Sequence, residues 1–219
     1  MSEASENEYD LSNSEIIPPK ILYIQMEYCE IDLDKYIKSH KHKGPLIEGD
    51  KRVKYIRQII EGLEFLHSIN VIFADLKPSN VLLDSFENIK LCDFGLSNVV
   101  CKTTNPSNIR NTNIATFNNL SSLNTEGGTF TNMAPELKNR DGKKNKMTEK
   151  IDIYALGLII FEMFANYSTH HEKMYILNQI NSGVDCKEFE GNSEIISILR
   201  KCLHINSKER PTCSMLLKE

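Results

Sequence analysis

Four polar side chains near the middle of the chain combine two carboxylates, an amine and an amide in a short stretch. Asp75 and Lys77 lie two residues apart, Asn80 follows closely, and Asp93 comes after a short apolar run. Carboxylate and amide oxygens are hard ligands of the kind that Mg²⁺ prefers. Phosphoryl transfer requires mainly positioning of the reactants and positive charge against the transferred group. The four residues supply the groups that phosphoryl transfer from Mg–ATP needs.

The runs that contain these residues resemble two loops of a eukaryotic protein kinase. Residues 75–80 read Asp-Leu-Lys-Pro-Ser-Asn and are similar to the catalytic loop, and residues 93–95 read Asp-Phe-Gly and are similar to the metal-binding loop. The resemblance implies that Asp75 accepts the proton of the substrate hydroxyl. It implies that Lys77 neutralises the transferred phosphate and that Asn80 and Asp93 hold magnesium.

Each short run has an ordinary alternative, because Asp-Phe-Gly alone is more often a turn after a strand. Three later runs follow in the order of a kinase: residues 128–136 resemble the end of an activation loop, residues 152–157 the start of a buried central helix, and residues 209–211 the turn before the last helix. Together the five runs identify the chain as similar to the large, C-terminal lobe of a kinase. Lys77 and Thr129 favour the branch that modifies Ser or Thr.

A narrower resemblance comes from residues 22–30, 62–67 and 157–162. These runs are similar to kinases of the α subunit of translation initiation factor 2, above all the sensors of amino-acid starvation and endoplasmic-reticulum stress. The implied function is ATP-dependent phosphoryl transfer to a protein Ser or Thr, with that subunit as the candidate substrate. Two alternatives stay open: a kinase of another Ser/Thr group, and a truncated or pseudokinase module that acts as a non-catalytic binding partner.

The resemblance also implies a nucleotide pocket and two structural contacts. Backbone groups of Glu27 and Cys29 would bind adenine, with Met26 behind it, Leu82 as its apolar floor and Lys77 at the phosphates; ATP and Mg²⁺ are the implied cofactors. Glu136 and Arg210 match a buried ion pair of the family. Asp152 matches a residue that holds the catalytic loop, although an N-cap role is an alternative. His67 is interpreted as structural.

The sequence departs from the family in two important places. Phe73-Ala74 stands where His-Arg is usual, so the Arg that pairs with a phosphorylated activation loop is missing. The first glycine is Gly44, and nothing before Ile21 resembles a Gly-rich phosphate loop or the strand Lys that grips the phosphates. We therefore expect the lower half of a longer kinase, and this chain alone is expected to lack half of the nucleotide clamp.

The order of elements predicts an α+β fold, mainly the helical lobe with a remnant strand and hinge of the small lobe. Residues 1–20 are expected to be a disordered acidic lead, and residues 21–219 the kinase domain. We expect a strand at 21–28, a hairpin at 81–92 and a long mobile loop at 96–127. Predicted helices are listed by range: 32–40, 51–69, 151–164, 171–181, 193–203 and 212–217.

Composition limits the other classes of function that the chain could have. The chain has 219 residues, 40% of them hydrophobic, and a formal net charge of −4, which gives no basic field for nucleic acid or an anionic membrane. No apolar run approaches a membrane span, and the polar N-terminal residues are unlike a signal peptide. The six cysteines show no disulfide or zinc spacing. We expect a cytoplasmic protein with a protein substrate, and a homodimer or a small-lobe-bearing partner.

Overall fold

The computed structural model describes residues 23–43, 49–99, 133–138, 147–182 and 187–219. Within these ranges, seven helices and five short strands confirm the predicted α+β class. The helices are α1 Leu33–Lys43, α2 Gly49–Ser68, α3 Pro135–Lys138, α4 Lys150–Phe164, α5 His170–Asn181, α6 Ser193–Cys202 and α7 Cys213–Leu216; the strands are β1 Ile31–Asp32, β2 Val71–Ile72, β3 Val81–Leu83, β4 Ile89–Leu91 and β5 Asn98–Val99. None of these helices is long and apolar enough to cross a membrane.

Helix α4 forms the centre of the helical core, as its nearly continuous apolar sequence predicts. Most of its side chains are buried, and it packs against α2 and α6. Gly157 lets α6 approach, because a Cβ at this position would lie 2.9 Å from the Cβ of Cys202. The same core receives the apolar stripe of α2, including Ile59 and Leu63. The loops that carry the predicted site residues therefore pack against a buried helical core.

A small antiparallel sheet, in the order β1-β3-β4, carries the chain toward Asp93. Val81 and Leu83 face the core, whereas Leu82 lies on the opposite face because side chains alternate along a strand. The hairpin turn is closed by Asp84, whose carboxylate accepts the backbone N–H of Asn88 at 2.8 Å. This bond is the largest cause of a lowered pKa at Asp84, and other hydrogen bonds at the turn add to it. Partial desolvation acts in the opposite direction but does not cancel the shift. The predicted hairpin is confirmed.

Three local predictions differ from the structure. Residues 23–30 form no strand, because nothing in the described ranges pairs with them. Residues 96–99 were expected to begin a loop, but β5 pairs with β2, which is a non-local contact that composition does not reveal. Glu149, not Asp152, is the N-cap position of α4. The expected disordered lead at 1–20 and the loop from 100 to 127 lie outside the described residues.

Candidate active site

The catalytic-loop residues lie together in the loop between β2 and β3. Asn80 Nδ2 donates to the backbone oxygen and to Oδ2 of Asp75, both at 2.9 Å. Lys77 Nζ lies 2.8 Å from the same Oδ2. A short 3-10 turn, Pro78–Asn80, brings Asn80 back over the loop. Two of the predicted site residues, Lys77 and Asn80, thus contact one carboxylate oxygen of a third, Asp75, and hold its side chain in a single direction.

Asp152 holds the backbone just before Asp75. Its Oδ1 accepts the N–H of Ala74 at 2.8 Å, and its Oδ2 accepts the N–H of Phe73 at 2.9 Å. Ala74 has a φ of 67°, a left-handed conformation that costs a residue with a Cβ about 1–2 kcal/mol. Two hydrogen bonds to a buried carboxylate stabilise this strained turn. Asp152 therefore holds the loop and does not cap its helix.

Phe73 connects the catalytic loop to the Asp-Phe-Gly run. Its side chain is fully buried, and its ring meets that of Phe94 edge to face, with centroids 5.2 Å apart. Ser97 Oγ donates to the backbone oxygen of Phe73 at 3.1 Å. An aromatic ring at this position can therefore pack in place of the usual His. The contact orients the segment that bears Asp93 relative to the segment that bears Asp75.

Asp93 lies at the exit of β4 with an exposed side chain and a left-handed backbone, φ 63°. The N–H of Cys92 donates to the backbone oxygen of Asn80 at 3.0 Å, which keeps the two predicted metal-binding residues on adjacent backbone segments. Burial raises the pKa of the Cys92 thiol, and the charge of Asp93 raises it further. A thiol is in any case a soft ligand, whereas Mg²⁺ prefers hard oxygen ligands, so Cys92 is not a candidate ligand for this ion.

The residues present fit a magnesium ion. Asn80 uses its Nδ2 for both bonds to Asp75, which leaves the amide oxygen as its ligating atom. Asp93 adds a carboxylate. The described residues contain no cluster of three His, Cys, Asp or Glu side chains that could hold a metal. Mg²⁺ is commonly bound by one or two protein oxygens and completes its shell with phosphates and water, so a two-residue site suits this ion.

The predicted nucleotide residues are less closely assembled. Met26 is 80% exposed, and the carboxylate of Glu27 forms an exposed ion pair with Lys90 at 3.2 Å. Cys29 and Leu82 are half-buried. Leu82 lies between Asp32 of β1 and Lys90 of β4, on the face of the sheet that points away from the core. The adenine-binding roles of these residues stay predictions.

A cleft beside Asp75 contains functional candidates that the sequence did not reveal. Asp75 and Lys77 line one part of it, and Met133, Ala134 and Leu137 supply an apolar wall. The motif at 128–136 placed these residues at the end of an activation loop but did not show which of them face the cleft. The arrangement puts an apolar wall next to the Asp75 carboxylate.

The wall of this cleft is anchored by the predicted ion pair. Arg210 donates from its two terminal nitrogens to the two carboxylate oxygens of Glu136, at 2.7 and 2.8 Å. The Arg210 side chain is fully buried, donates also to the backbone oxygens of His204 and Lys150, and lies over the Tyr154 ring. The contact was correctly predicted, and it fixes α3 against the helical core.

This fold and this loop geometry agree with the family comparison. A model of the protein kinase domain matches residues 10–219, nearly the whole chain. The chain therefore belongs to the protein kinase domain family.

Similar curated proteins indicate which group of protein kinases the chain resembles. The chain is 38% identical over 165 residues to eIF-2-alpha kinase GCN2 of Schizosaccharomyces pombe, covering 74% of this chain and 10% of that protein. It is 31% identical over 242 residues to the probable serine/threonine-protein kinase ifkB of Dictyostelium discoideum, covering 98% of this chain and 18% of that protein. The interferon-induced, double-stranded RNA-activated protein kinase of Rattus norvegicus is 30% identical over 226 residues, 99% of this chain and 39% of that protein. The chain resembles eIF2α-type Ser/Thr kinases and spans only a small part of these relatives.

Proposed function

We propose that this chain provides the catalytic-loop half of a Ser/Thr kinase that transfers a phosphoryl group from Mg–ATP to the α subunit of translation initiation factor 2. The observation that carries the proposal is the convergence of Lys77 and Asn80 on Oδ2 of Asp75, on a loop held by Asp152. The family and the relatives named for this substrate support it. Translation control in the cytoplasm is the corresponding cellular role.

Each residue contributes one part of the reaction. Asp75, with its carboxylate fixed by Asn80, orients the acceptor hydroxyl and receives its proton. Lys77 places a positive charge beside that carboxylate, where the transferred group develops negative charge. Asn80 and Asp93 would hold Mg²⁺, which supplies charge neutralisation when bound. The apolar wall of Met133, Ala134 and Leu137 would seat the substrate backbone next to Asp75.

The test compares the 219-residue chain alone with a fusion to the small lobe of the fission yeast GCN2 kinase domain. Because the sequence before Ile21 offers no Gly-rich loop, we expect the chain alone to bind Mg–ATP weakly and to show little or no kinase activity. The fusion should phosphorylate the initiation-factor subunit. Asp75→Ala and Asp93→Ala should each abolish that activity, whereas Asp34→Ala, at an exposed ion pair with Lys38, should leave it unchanged.

Three outcomes would reject parts of the proposal. Robust phosphorylation by the chain alone, lost in Asp75→Ala, would show that the small lobe is not needed. An inactive but folded fusion would reject the kinase function. A fusion that modifies other proteins but not the initiation-factor subunit would reject the substrate.

A non-catalytic binding module is the second candidate. It is favoured by the side chains of Tyr23, Ile24, Met26 and Tyr28, which are 74 to 87% exposed in one short segment. Concentrated apolar exposure of this kind often marks an interaction surface. The partner would be a small-lobe-bearing chain or a second copy of this chain. In that case the fusion would stay inactive, and Met26→Ser with Tyr28→Ser would weaken association measured by analytical ultracentrifugation.

A further inference from the structure

A buried cluster beneath the catalytic loop joins three helices that are distant in sequence. His67 of α2 places Nε2 at 2.8 Å from Oδ2 of Asp152 on α4. Its other ring nitrogen, Nδ1, lies 3.6 Å from Sγ of Cys213 on α7. Cys213 is fully buried, and only 9% of the His67 side chain is exposed. The three side chains form a continuous series of contacts that ends at the carboxylate holding the catalytic loop.

The chemistry of the three groups assigns the protons. A carboxylate only accepts hydrogen bonds, so Nε2 of His67 must carry the hydrogen that reaches Asp152. We take the imidazole to be neutral, with its one proton on Nε2, so that Nδ1 is an acceptor. The thiol of Cys213 is the group that faces Nδ1, and burial, as the largest cause, raises its pKa to about 12. The thiol therefore keeps its proton and can donate it in a weak S–H···N hydrogen bond.

We propose that Cys213 is a positioning residue for the catalytic loop, because its thiol donates to His67 Nδ1 and holds the ring in the tautomer and orientation that bind Asp152. Asp152 in turn holds the N–H groups of Phe73 and Ala74, directly before Asp75. This inference rests on the proposed function in one respect, namely that Asp75 is the group being positioned. The hydrogen bonds themselves are independent of catalysis.

The other role for Cys213 is simple filling of the core, and the chain offers a matched control. Cys202 is equally buried, and burial likewise raises its pKa to about 12. Its Cβ packs against Gly157 of α4 and not against an imidazole. Replacing either cysteine by Ala removes the same sulfur atom from the core, but only the change at Cys213 removes a donor to His67.

The first measurement is made on the unaltered 219-residue chain. Nitrogen-15 NMR of histidine rings distinguishes protonated from unprotonated nitrogens, and His67→Phe identifies the His67 signals among the six histidines. We expect an unprotonated Nδ1 and a protonated Nε2 for His67. A protonated Nδ1 would overturn the proposal, because the thiol could not then donate to it. The measurement needs no Cys213 variant, so it decides the point even if Cys213→Ala or Cys213→Ser fails to fold.

The second measurement compares Cys213→Ser, Cys213→Ala and Cys202→Ala. A Ser hydroxyl can still donate to Nδ1, so Cys213→Ser should keep the His67 tautomer. Cys213→Ala should leave Nδ1 without this donor, shift the His67 nitrogen signals, and speed amide hydrogen exchange at Phe73 and Ala74 roughly tenfold. Cys202→Ala should change neither. If Cys213→Ala matched the unaltered chain, or Cys213→Ser behaved like Cys213→Ala, Cys213 would be only a core filler.

The readouts separate this inference from the kinase proposal. If the fusion described above phosphorylates its substrate but the tautomer and exchange results fail, only the role of Cys213 falls. If the hydrogen bonds are found but the folded fusion is inactive, Cys213 becomes a structural donor and its positioning role in catalysis is overturned. In an active fusion, Cys213→Ala should lower kcat with little change in KM for ATP, and Cys213→Ser should restore it.

Discussion

The catalytic loop, residues 75–80, and the hinge segment, residues 23–30, belong to the same predicted nucleotide site but are held in different ways. The backbone before Asp75 is fixed by a carboxylate that is 1% exposed and by a fully buried aromatic ring at Phe73. Residues 23–30 form no helix or strand, and Met26 and Tyr28 are at least 80% exposed. Contacts with other described residues therefore stabilise the catalytic loop, whereas such contacts contribute little stability to the hinge segment.

This difference indicates where the stability of the site originates. The loop takes its support from α4 and from contacts that continue into α2 and α7. The hinge segment has one described ion pair, Glu27 with Lys90, in which both side chains are substantially exposed. Exposed ion pairs contribute little because water and salt screen them. We expect substitutions in the two regions to differ sharply, and the following predictions begin with the largest effect.

Arg210→Ala should destabilise the chain by about 3–5 kcal/mol, because it leaves Glu136 without its buried partner and removes three further contacts of the guanidinium. Urea denaturation followed by circular dichroism measures the change. Glu27→Ala, which breaks the exposed hinge pair, is the control and should leave the midpoint unchanged. Equal shifts in the two variants would remove the distinction between the regions.

Asp152→Asn should cost about 2 kcal/mol. An amide NH₂ group would face at least one of the donors that now point at the carboxylate, the N–H of Phe73, the N–H of Ala74 or the His67 ring. Amide exchange at residues 73 and 74 should become much faster, while exchange in the centre of α2 should change only with global stability. Unchanged exchange at these two amides would mean that Asp152 does not hold the loop.

Ala74→Gly should stabilise the chain by roughly 0.5–1 kcal/mol, since Gly adopts a positive φ without the cost imposed by a Cβ. The added entropy of the unfolded chain offsets part of this gain. Thermal and urea unfolding both measure the net change in stability. Ala155→Gly, in the regular helix α4, is the matched control and should be destabilising. A destabilising Ala74→Gly would show that the loop is not strained at this residue.

Met26→Ser should change the stability of this chain by less than about 0.5 kcal/mol, because its side chain is mostly in solvent. In the fusion with a small lobe, the same change should weaken ATP binding measured by calorimetry, if Met26 lies behind the adenine as the family resemblance implies. A large loss of stability in the isolated chain would show that the hinge segment is already packed.

Local patterns allowed much of the helical lobe to be predicted. The apolar sequence of α4 is almost continuous, and the stripe of α2 recurs at helical spacing, so both helices were predicted to within two residues at either end. The hairpin 81–92 was visible because two short apolar runs flank a polar turn. The prediction of a strand at 21–28 was wrong for the described residues, since a strand needs a neighbour with which to share hydrogen bonds.

The motifs alone identified the family, the likeness to Ser/Thr kinases, and the pairing of Glu136 with Arg210, because these depend on residue types in a fixed order. The resemblance also implied that Asp152 holds the loop, and its hydrogen bonds to Phe73 and Ala74 agree with that. Only the tertiary structure showed that Phe73 meets Phe94, that Met133 and Leu137 face the cleft beside Asp75, and that Cys213 reaches His67. These contacts join residues far apart in the chain. Their distances are set by how the helices pack, which no local spacing encodes.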